Sequence, residues 1–170
     1  APLRKVLVAS AHEALAMGSV GVSIHVNMGN PYEPDMLRDL GAISRECNEL
    51  GLPLLAMMYV RHQHDAAMVD SEEPTAIAHA ARVAAELGAD IVKVSYTGSV
   101  ESFTTVVEGC PVPVVVAGGA KGDTQTILAS ISECIQAGAA GISCGRNIFQ
   151  HEDIVGILKS MQRIVHGPAQ

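Results

Sequence analysis

One junction recurs along this chain: a helical pattern ends at a glycine, and an apolar, β-rich run follows directly. Residues 86–91 and 136–142 share this form, and residues 16–22 are a looser copy. A glycine just past a helix readily adopts the left-handed conformation that closes the last turn. Repetition of one helix–glycine–strand unit predicts an α/β fold with parallel strands.

The rest of the chain divides into the same kind of unit. Apolar runs bounded by Gly, Pro or Asp suit parallel strands buried on both faces, and five are present, at residues 21–26, 53–59, 90–94, 112–117 and 141–144. Amphipathic stretches predict helices at residues 11–17, 33–50, 74–87, 99–108, 123–137 and 152–164. No linker or low-complexity stretch interrupts this pattern, so we predict one domain over residues 1–170.

Composition narrows the functions that such a domain can have. The formal net charge is −7 and the 11 Lys and Arg residues are scattered, so no basic face is available for nucleic acid. The four cysteines lack CxxC spacing, which gives a disulfide framework or a zinc site little support. No apolar run reaches the ~18–20 residues that span a bilayer, and no export signal is evident. We expect a cytoplasmic protein that acts on a small molecule.

Lys93 is the residue that most strongly suggests chemistry. It interrupts an apolar run at residues 91–94, where desolvation disfavours the ammonium and lowers its pKa. The resulting neutral amine can attack a ketone, and the imine that forms serves as an electron sink. The alternative is a lysine that extends to the strand end or pairs with a core carboxylate. The strand alone leaves both interpretations open.

Tyr59 closes the apolar run at residues 54–59. In a parallel α/β fold the C-terminal ends of the strands meet at one edge, so we expect Tyr59 and Lys93 to face the same space from adjacent strands. A phenol there can transfer the proton of a substrate hydroxyl. The alternative is an amphipathic tyrosine at the edge of the core.

Two glycine-rich segments follow the last two predicted strands, at residues 117–119 and 144–147. Glycine lets backbone N–H groups approach an anion closely, a helix N-terminus adds partial positive charge, and Arg146 can add bidentate contacts. Either segment alone is typical of a simple turn. Together, on consecutive final strands, they predict a phosphate site. Lys121 is a further candidate for positive charge.

The histidines are less informative. His25 lies within the first predicted strand, and it could hydrogen-bond in the site or be a satisfied core residue. His62, His64 and Asp65 have the composition of a metal site, but we expect them to lie in a mobile, solvated loop. We therefore predict no metal site.

With these residues considered together, the chain resembles the archaeal-type class I fructose-bisphosphate aldolase family, and within it the 2-amino-3,7-dideoxy-D-threo-hept-6-ulosonate synthases. The similar segments extend over nearly all of the chain, at residues 23–27, 54–59, 86–93, 110–114, 117–119 and 145–151. The resemblance implies a TIM (βα)8 barrel, of which residues 1–170 carry about strands 4 to 8. The first three βα units, and the family's catalytic Asp-His-Gly stretch, have no counterpart in these residues.

The resemblance also implies roles for the candidate residues. Lys93 on the sixth strand is then the imine-forming lysine, and Tyr59 on the fifth is the acid/base tyrosine. The implied phosphate contacts are Gly118, Gly119, Gly145 and Arg146, and the further candidates for substrate contacts are His25 and Arg61. The last of these follows Tyr59 in a Val-Arg-His segment, where the family usually has Pro-Arg-Gly, which affects the loop geometry and the choice of substrate.

The implied activity is aldol or transaldol chemistry on a phosphorylated ketose, without a cofactor. The implied acceptor is L-aspartate semialdehyde, and the product is a precursor of aromatic amino acids. Alternatives are fructose-bisphosphate cleavage and the condensation of dihydroxyacetone phosphate with aspartate semialdehyde toward an aminohydroxybenzoate. An interpretation of another class is a non-catalytic barrel fragment that serves in assembly or phosphate binding. We expect a homo-oligomer, or a second chain that supplies the N-terminal strands, and no nucleic-acid or membrane partner.

Overall fold

The computed structural model describes residues 3–64, 67–119 and 122–167, without the side chains of residues 62–64 and 67–70. Its strands are β1 (Val22–Met28), β2 (Leu54–His64), β3 (Ala67–Asp70), β4 (Ile91–Val94), β5 (Val114–Ala117) and β6 (Gly141–Ser143). Its helices are α1 (Ala11–Ala16), α2 (Glu33–Leu50), α3 (Pro74–Glu86), α4 (Val100–Glu108), α5 (Thr124–Gln136), α6 (Arg146–Phe149) and α7 (Ile154–His166).

Five of the strands form one parallel sheet in the order β1-β2-β4-β5-β6. Each strand therefore pairs with the next parallel strand along the chain, and a helix lies between each pair. The predicted α/β fold with a parallel sheet is confirmed. Strand β3 stands apart from this pattern because it pairs antiparallel with the far end of β2.

Local chemistry explains where the helices begin and end. Side chains at their N-caps accept hydrogen bonds from free backbone N–H groups, and the residues that do so are Ser10, Glu73, Ser99, Asp123 and Asp153. Gly51 closes α2 with φ of 66°. Gly88 follows the end of α3 with φ of 93°, and Gly138 follows the end of α5 with φ of 96°. Left-handed backbone of this kind favours glycine. The recurring helix–glycine–strand junction is thus a real structural unit.

The two faces of the sheet differ in burial. Alternate residues of β4 and β5, such as Val92, Val94 and Val114, are buried beneath the helices in the main hydrophobic core. The residues between them, including Lys93 and Val115, are only half-buried on the opposite face. No helix in the described ranges is long and apolar enough to cross a membrane. The half-buried face is the one on which polar residues near the strand ends lie.

Two of the features that differ from the expectation from sequence concern strands. The backbone at His62 and His64 is not a loop: it continues β2 and pairs with residues 67–70 of β3, so the prediction of a mobile loop there is wrong, and Asp65 lies outside the described residues. The fourth predicted strand, at residues 112–117, also starts later, at Val114 of β5, because Pro113 has no N–H to donate to a ladder.

Candidate active site

The half-buried face brings the candidate residues into two adjacent layers. His25 pairs with Met57 across β1 and β2, Met57 pairs with Lys93 across β2 and β4, and Lys93 pairs with Val115 of β5. Residues in register share a face of the sheet. Tyr59 lies two residues beyond Met57, in register with Asn27. The second layer is therefore nearer the C-terminal edge of the sheet.

Lys93 and Tyr59 lie within reach of each other on adjacent strands. Strands rise ~3.3 Å per residue and lie ~4.8 Å apart, so their Cα atoms are separated by about 8 Å. Burial lowers the pKa of Lys93 below its ordinary value, and Cys144 opposes this effect to a smaller extent. No carboxylate in the described ranges forms an ion pair with this amine. The arrangement favours a larger fraction of neutral, nucleophilic amine.

The ring of Tyr59 is contacted by two nitrogen-containing side chains. The His25 ring lies 4.9 Å from it between centroids, inclined by 32°, and Cζ of Arg61 lies 4.5 Å from its centroid. His25 Nε2 is 2.9 Å from Oδ1 of Asn27, and Arg61 Nη1 donates to the same oxygen at 3.4 Å. The structure thus brings His25, Tyr59 and Arg61 together around a fourth residue.

Asn27 was not among the residues singled out from the sequence. It is fully buried, and its Nδ2 donates to the backbone oxygen of Leu3 at 2.8 Å. A buried amide without hydrogen bonds is costly, so an asparagine inside an apolar run, two residues from a histidine, is the sequence signal that could have revealed it. Its contacts, however, depend on chain segments far apart in sequence.

Electrostatics favour a neutral His25. Burial lowers the pKa of His25, the hydrogen bond to Asn27 opposes this, and the cations Lys5, Arg61 and Lys93 lower it further. Lys93 can act on His25 because both residues lie in the first layer, separated by Met57 of the strand between them. A neutral imidazole can donate one hydrogen bond and accept another.

The glycine-rich segments lie at the ends of β5 and β6. A Cβ atom on Gly118 would fall 3.0 Å from the Cα of Cys144, so only glycine permits this approach of the two strand ends. Gly119 has φ of +63°, and its carbonyl accepts a hydrogen bond from Arg146 Nη2 at 2.9 Å. Gly145 is the N-cap of α6. Arg146 is exposed, which leaves its remaining N–H donors accessible to an anion.

Asn147 connects these two segments. It is buried, its Nδ2 donates to the carbonyl of Gly118, and its Oδ1 accepts from the N–H of Gly122 at 3.3 Å. These bonds fix the loop after β5 against the start of α6. Lys121 lies outside the described residues. The histidine, cysteine and acidic side chains within the described ranges form no group of three or more able to hold a metal ion.

Comparison with known proteins identifies the family of this chain. A family profile described as DeoC/LacD family aldolase matches residues 1–151. This chain belongs to the DeoC/LacD aldolase family. Within the family, 2-amino-3,7-dideoxy-D-threo-hept-6-ulosonate synthase 1 of Archaeoglobus fulgidus is 46% identical over 166 residues, which are 98% of this chain and 60% of that protein.

Other relatives are similar over the same region. The 2-amino-4,5-dihydroxy-6-oxo-7-(phosphonooxy)heptanoate synthase of Streptomyces griseus is 40% identical over 97% of this chain and 60% of its own length. An archaeal fructose 1,6-bisphosphate aldolase of known structure superposes with a TM-score of 0.88 and 32% identity, over 96% of this chain and 64% of that one. This DeoC/LacD aldolase chain therefore spans about three-fifths of the length of these relatives.

Proposed function

We propose that this chain carries the imine-forming half of a class I aldolase or transaldolase site. The observation that carries the proposal is Lys93: an amine whose pKa is lowered by burial, on the same face as Tyr59 and near the C-terminal edge of a parallel sheet. Relatives of known structure include an archaeal aldolase described with its catalytic Lys covalently bound to a carbinolamine intermediate of the substrate, 31% identical to this chain.

In the proposed reaction the neutral amine of Lys93 adds to the ketone carbon of a phosphorylated ketose and forms a carbinolamine. Loss of water gives the protonated imine, which accepts the electron pair of the adjacent carbon–carbon bond as that bond breaks. An aldehyde leaves, and the enamine that remains adds to a second aldehyde. Hydrolysis then returns the amine. The imine itself is the electron sink, so the proposed reaction uses no cofactor.

The other candidate residues have roles that suit their surroundings. Tyr59 takes the proton from the substrate hydroxyl during cleavage and returns it to the aldehyde oxygen during addition. Cζ of Arg61 lies 4.5 Å from the centroid of the Tyr59 ring, and its positive charge stabilises the phenolate form of Tyr59. His25 and Arg61 also remain candidates for substrate contacts.

The substrate phosphate is proposed to bind between the glycine-rich ends of β5 and β6. The support is the close approach of Gly118 to Cys144 and the accessible guanidinium of Arg146 beside Gly119. Gly145 contributes backbone at the start of α6. Charge-assisted hydrogen bonds from Arg to phosphate are among the stronger polar contacts in proteins.

For the substrates we propose the reaction of the 2-amino-3,7-dideoxy-D-threo-hept-6-ulosonate synthases, with L-aspartate semialdehyde as acceptor. The relatives from Archaeoglobus fulgidus and Halobacterium salinarum carry that name, at 46% and 38% identity. Two rivals share the mechanism: the Streptomyces griseus relative, at 40% identity, makes a 7-phosphonooxy product according to its name, and the structural neighbours are fructose-bisphosphate aldolases. The product named for the Archaeoglobus fulgidus and Halobacterium salinarum relatives is deoxy at carbon 7, whereas the product named for the Streptomyces griseus relative is phosphorylated there.

The fold is proposed to be the C-terminal part of a TIM barrel, about strands 4 to 8, with residues 1–170 forming one partial domain. Five parallel strands do not close an eight-stranded barrel. Large apolar side chains are exposed near both ends of the described chain, at Val8, Met17 and Val20 and at Phe149 and Val155. Three further βα units, supplied by the same protein or by another chain, are proposed to cover them.

The decisive experiment is borohydride reduction in the presence of dihydroxyacetone phosphate, followed by peptide mass spectrometry. We expect the reduced adduct on Lys93, and none on the exposed Lys159 of α7. Lys93→Met should abolish trapping, whereas Lys159→Met should leave it unchanged. An unmodified Lys93, under conditions that trap a known class I aldolase, would refute the mechanism and favour the non-catalytic interpretation.

A second assay separates the substrates. Aspartate semialdehyde is supplied with hydroxyacetone or with dihydroxyacetone phosphate, and the product mass shows whether carbon 7 carries phosphate. Cleavage of fructose bisphosphate is followed in parallel. Intact mass and light scattering of the purified protein report whether further βα units are present in the same chain or in a partner, and whether the proposed homo-oligomer forms.

A further inference from the structure

Asn27 lies at the C-terminal end of β1, in register with Tyr59, and it is fully buried. The aldol mechanism proposed above gives this residue no task. Within the described part of the chain, its side chain nevertheless hydrogen-bonds to Leu3, His25 and Arg61. A buried amide that bonds to several partners constrains the positions of those partners.

The partners determine which way the amide points. The carbonyl oxygen of Leu3 can only accept, so the atom 2.8 Å from it is the amide nitrogen of Asn27. Oδ1 therefore faces His25 and Arg61. Because Oδ1 can only accept, Nε2 of His25 carries a proton, and Nδ1 is the acceptor nitrogen of the neutral ring.

Both donors to Oδ1 also contact the ring of Tyr59, at 4.9 Å for His25 and 4.5 Å for Arg61. We propose that Asn27 is a positioning residue for Tyr59, whose carboxamide holds the Nε2–H form of His25 and the guanidinium of Arg61 against the phenol ring. This inference rests on the acid/base role proposed for Tyr59. It adds a residue that touches no substrate and acts through its two neighbours.

The arrangement has a chemical purpose in proton transfer. A guanidinium held near the ring stabilises the phenolate, which accepts the substrate proton. Burial and the cations Lys5, Arg61 and Lys93 keep His25 neutral against the opposing effect of its bond to Asn27. Asn27 thus holds the positive charge of Arg61 beside Tyr59, while the imidazole of His25 remains neutral.

One test needs no substitution. The ¹⁵N resonances of the His25 imidazole, recorded on the full-length protein near neutral pH, report which ring nitrogen carries the proton. The proposal expects a neutral ring protonated on Nε2. A ring protonated on Nδ1 alone would overturn the proposal, whatever the fate of any variant.

A second test compares two asparagines. Asn27→Leu removes all three bonds at nearly constant volume, and we expect kcat to fall by about 10- to 100-fold, as displaced catalytic groups do. The pH profile of kcat should move to higher pH, because the guanidinium is no longer held beside the phenol. Asn27→Asp keeps an acceptor for Arg61 and should recover part of the loss.

The matched control is Asn30→Ala. Asn30 Nδ2 donates to the backbone oxygens of Asn27 and Arg61, so its removal loosens the same two strands without touching the side-chain cluster. Its kcat and pH profile should match those of the wild type. Asn27→Leu with a wild-type kcat and pH profile overturns the proposal. Failure of the wild-type protein to trap substrate at Lys93 would instead refute the proposed function.

Discussion

Gly118→Ala tests whether the ends of β5 and β6 must lie as close together as the structure has them. A Cβ atom at this position would fall 3.0 Å from Cys144 Cα and closer still to Cys144 Cβ, whereas carbon atoms in contact are ordinarily ~3.5–4.0 Å apart. The obstacle includes backbone, so no rotamer change relieves it. The two strand ends must separate by a sizeable part of an ångström.

The expected cost follows from two contributions. Overpacking of this kind costs about 1–3 kcal/mol. Separation also weakens the hydrogen bond from Asn147 to the carbonyl of Gly118, and a typical bond contributes about 1 kcal/mol. We therefore expect the free energy of unfolding to fall by about 2–4 kcal/mol, measured by urea denaturation.

Gly119→Ala is the matched control for this substitution. Among the residues that the structure describes, none beyond the chain neighbours has an atom within 4 Å of the Cβ position at Gly119, and the φ of +63° is what disfavours alanine there. Left-handed backbone costs a non-glycine residue about 1–2 kcal/mol. Gly118→Ala should therefore be the less stable variant, and it should also raise KM for a phosphorylated ketose if the phosphate binds here.

A double-mutant cycle identifies the cause. Cys144→Gly removes the Cβ that the new methyl group meets, so Gly118→Ala should cost less in that background than in the wild type. The reasoning is refuted if Gly118→Ala is as stable as Gly119→Ala, or if its cost is the same with and without the Cys144 side chain.

Three further predictions concern single groups. Burial lowers the pKa of Lys93, so its ammonium proton is held more tightly in the unfolded chain than in the folded one. Lys93→Met should therefore raise Tm at neutral pH. This gain in Tm should shrink as pH rises toward the ordinary lysine pKa of ~10.4. A gain independent of pH would contradict this. Tyr96→Phe removes the O–H that donates to Glu133 Oε2 at 2.6 Å and should cost about 0.5–1 kcal/mol by urea denaturation, whereas no loss would mean that water replaces the bond fully. Burial raises the pKa of Cys134 to about 12. Burial also raises the pKa of the half-exposed Cys144, but the neighbouring Lys93 partly opposes this effect, so a thiol reagent should modify Cys134 more slowly than Cys144; equal rates measured by peptide mapping would contradict this order.

Local patterns in the sequence predicted the secondary structure well where short-range forces decide it. The bounds of α2, Glu33–Leu50, follow from an amphipathic stretch with Pro34 at its start and Gly51 after its end. The parallel orientation of the five strands followed from the repeated βα unit, because a helix that crosses over returns the chain to the same end of the sheet.

Contacts between distant segments could not be predicted in the same way. The polar residues at 61–64 lack the apolar pattern of a core strand, and only pairing with residues 67–70 makes this segment part of β2. Likewise, the short helix α6 was not expected, because it depends on Asn147 and on the loop after β5.

The sequence by itself determined the α/β class and the parallel strands, because these depend on periodicity and cap residues. It also identified Lys93 and Tyr59 as the amine and the phenol proposed for catalysis, because these functional groups can be identified from the sequence. Only the tertiary structure decided that Gly118 meets Cys144 and that Asn27 joins His25 to Arg61. The physical reason is that register and burial are set by packing of the whole sheet, and a hydrogen bond between strands exists only once that register is fixed.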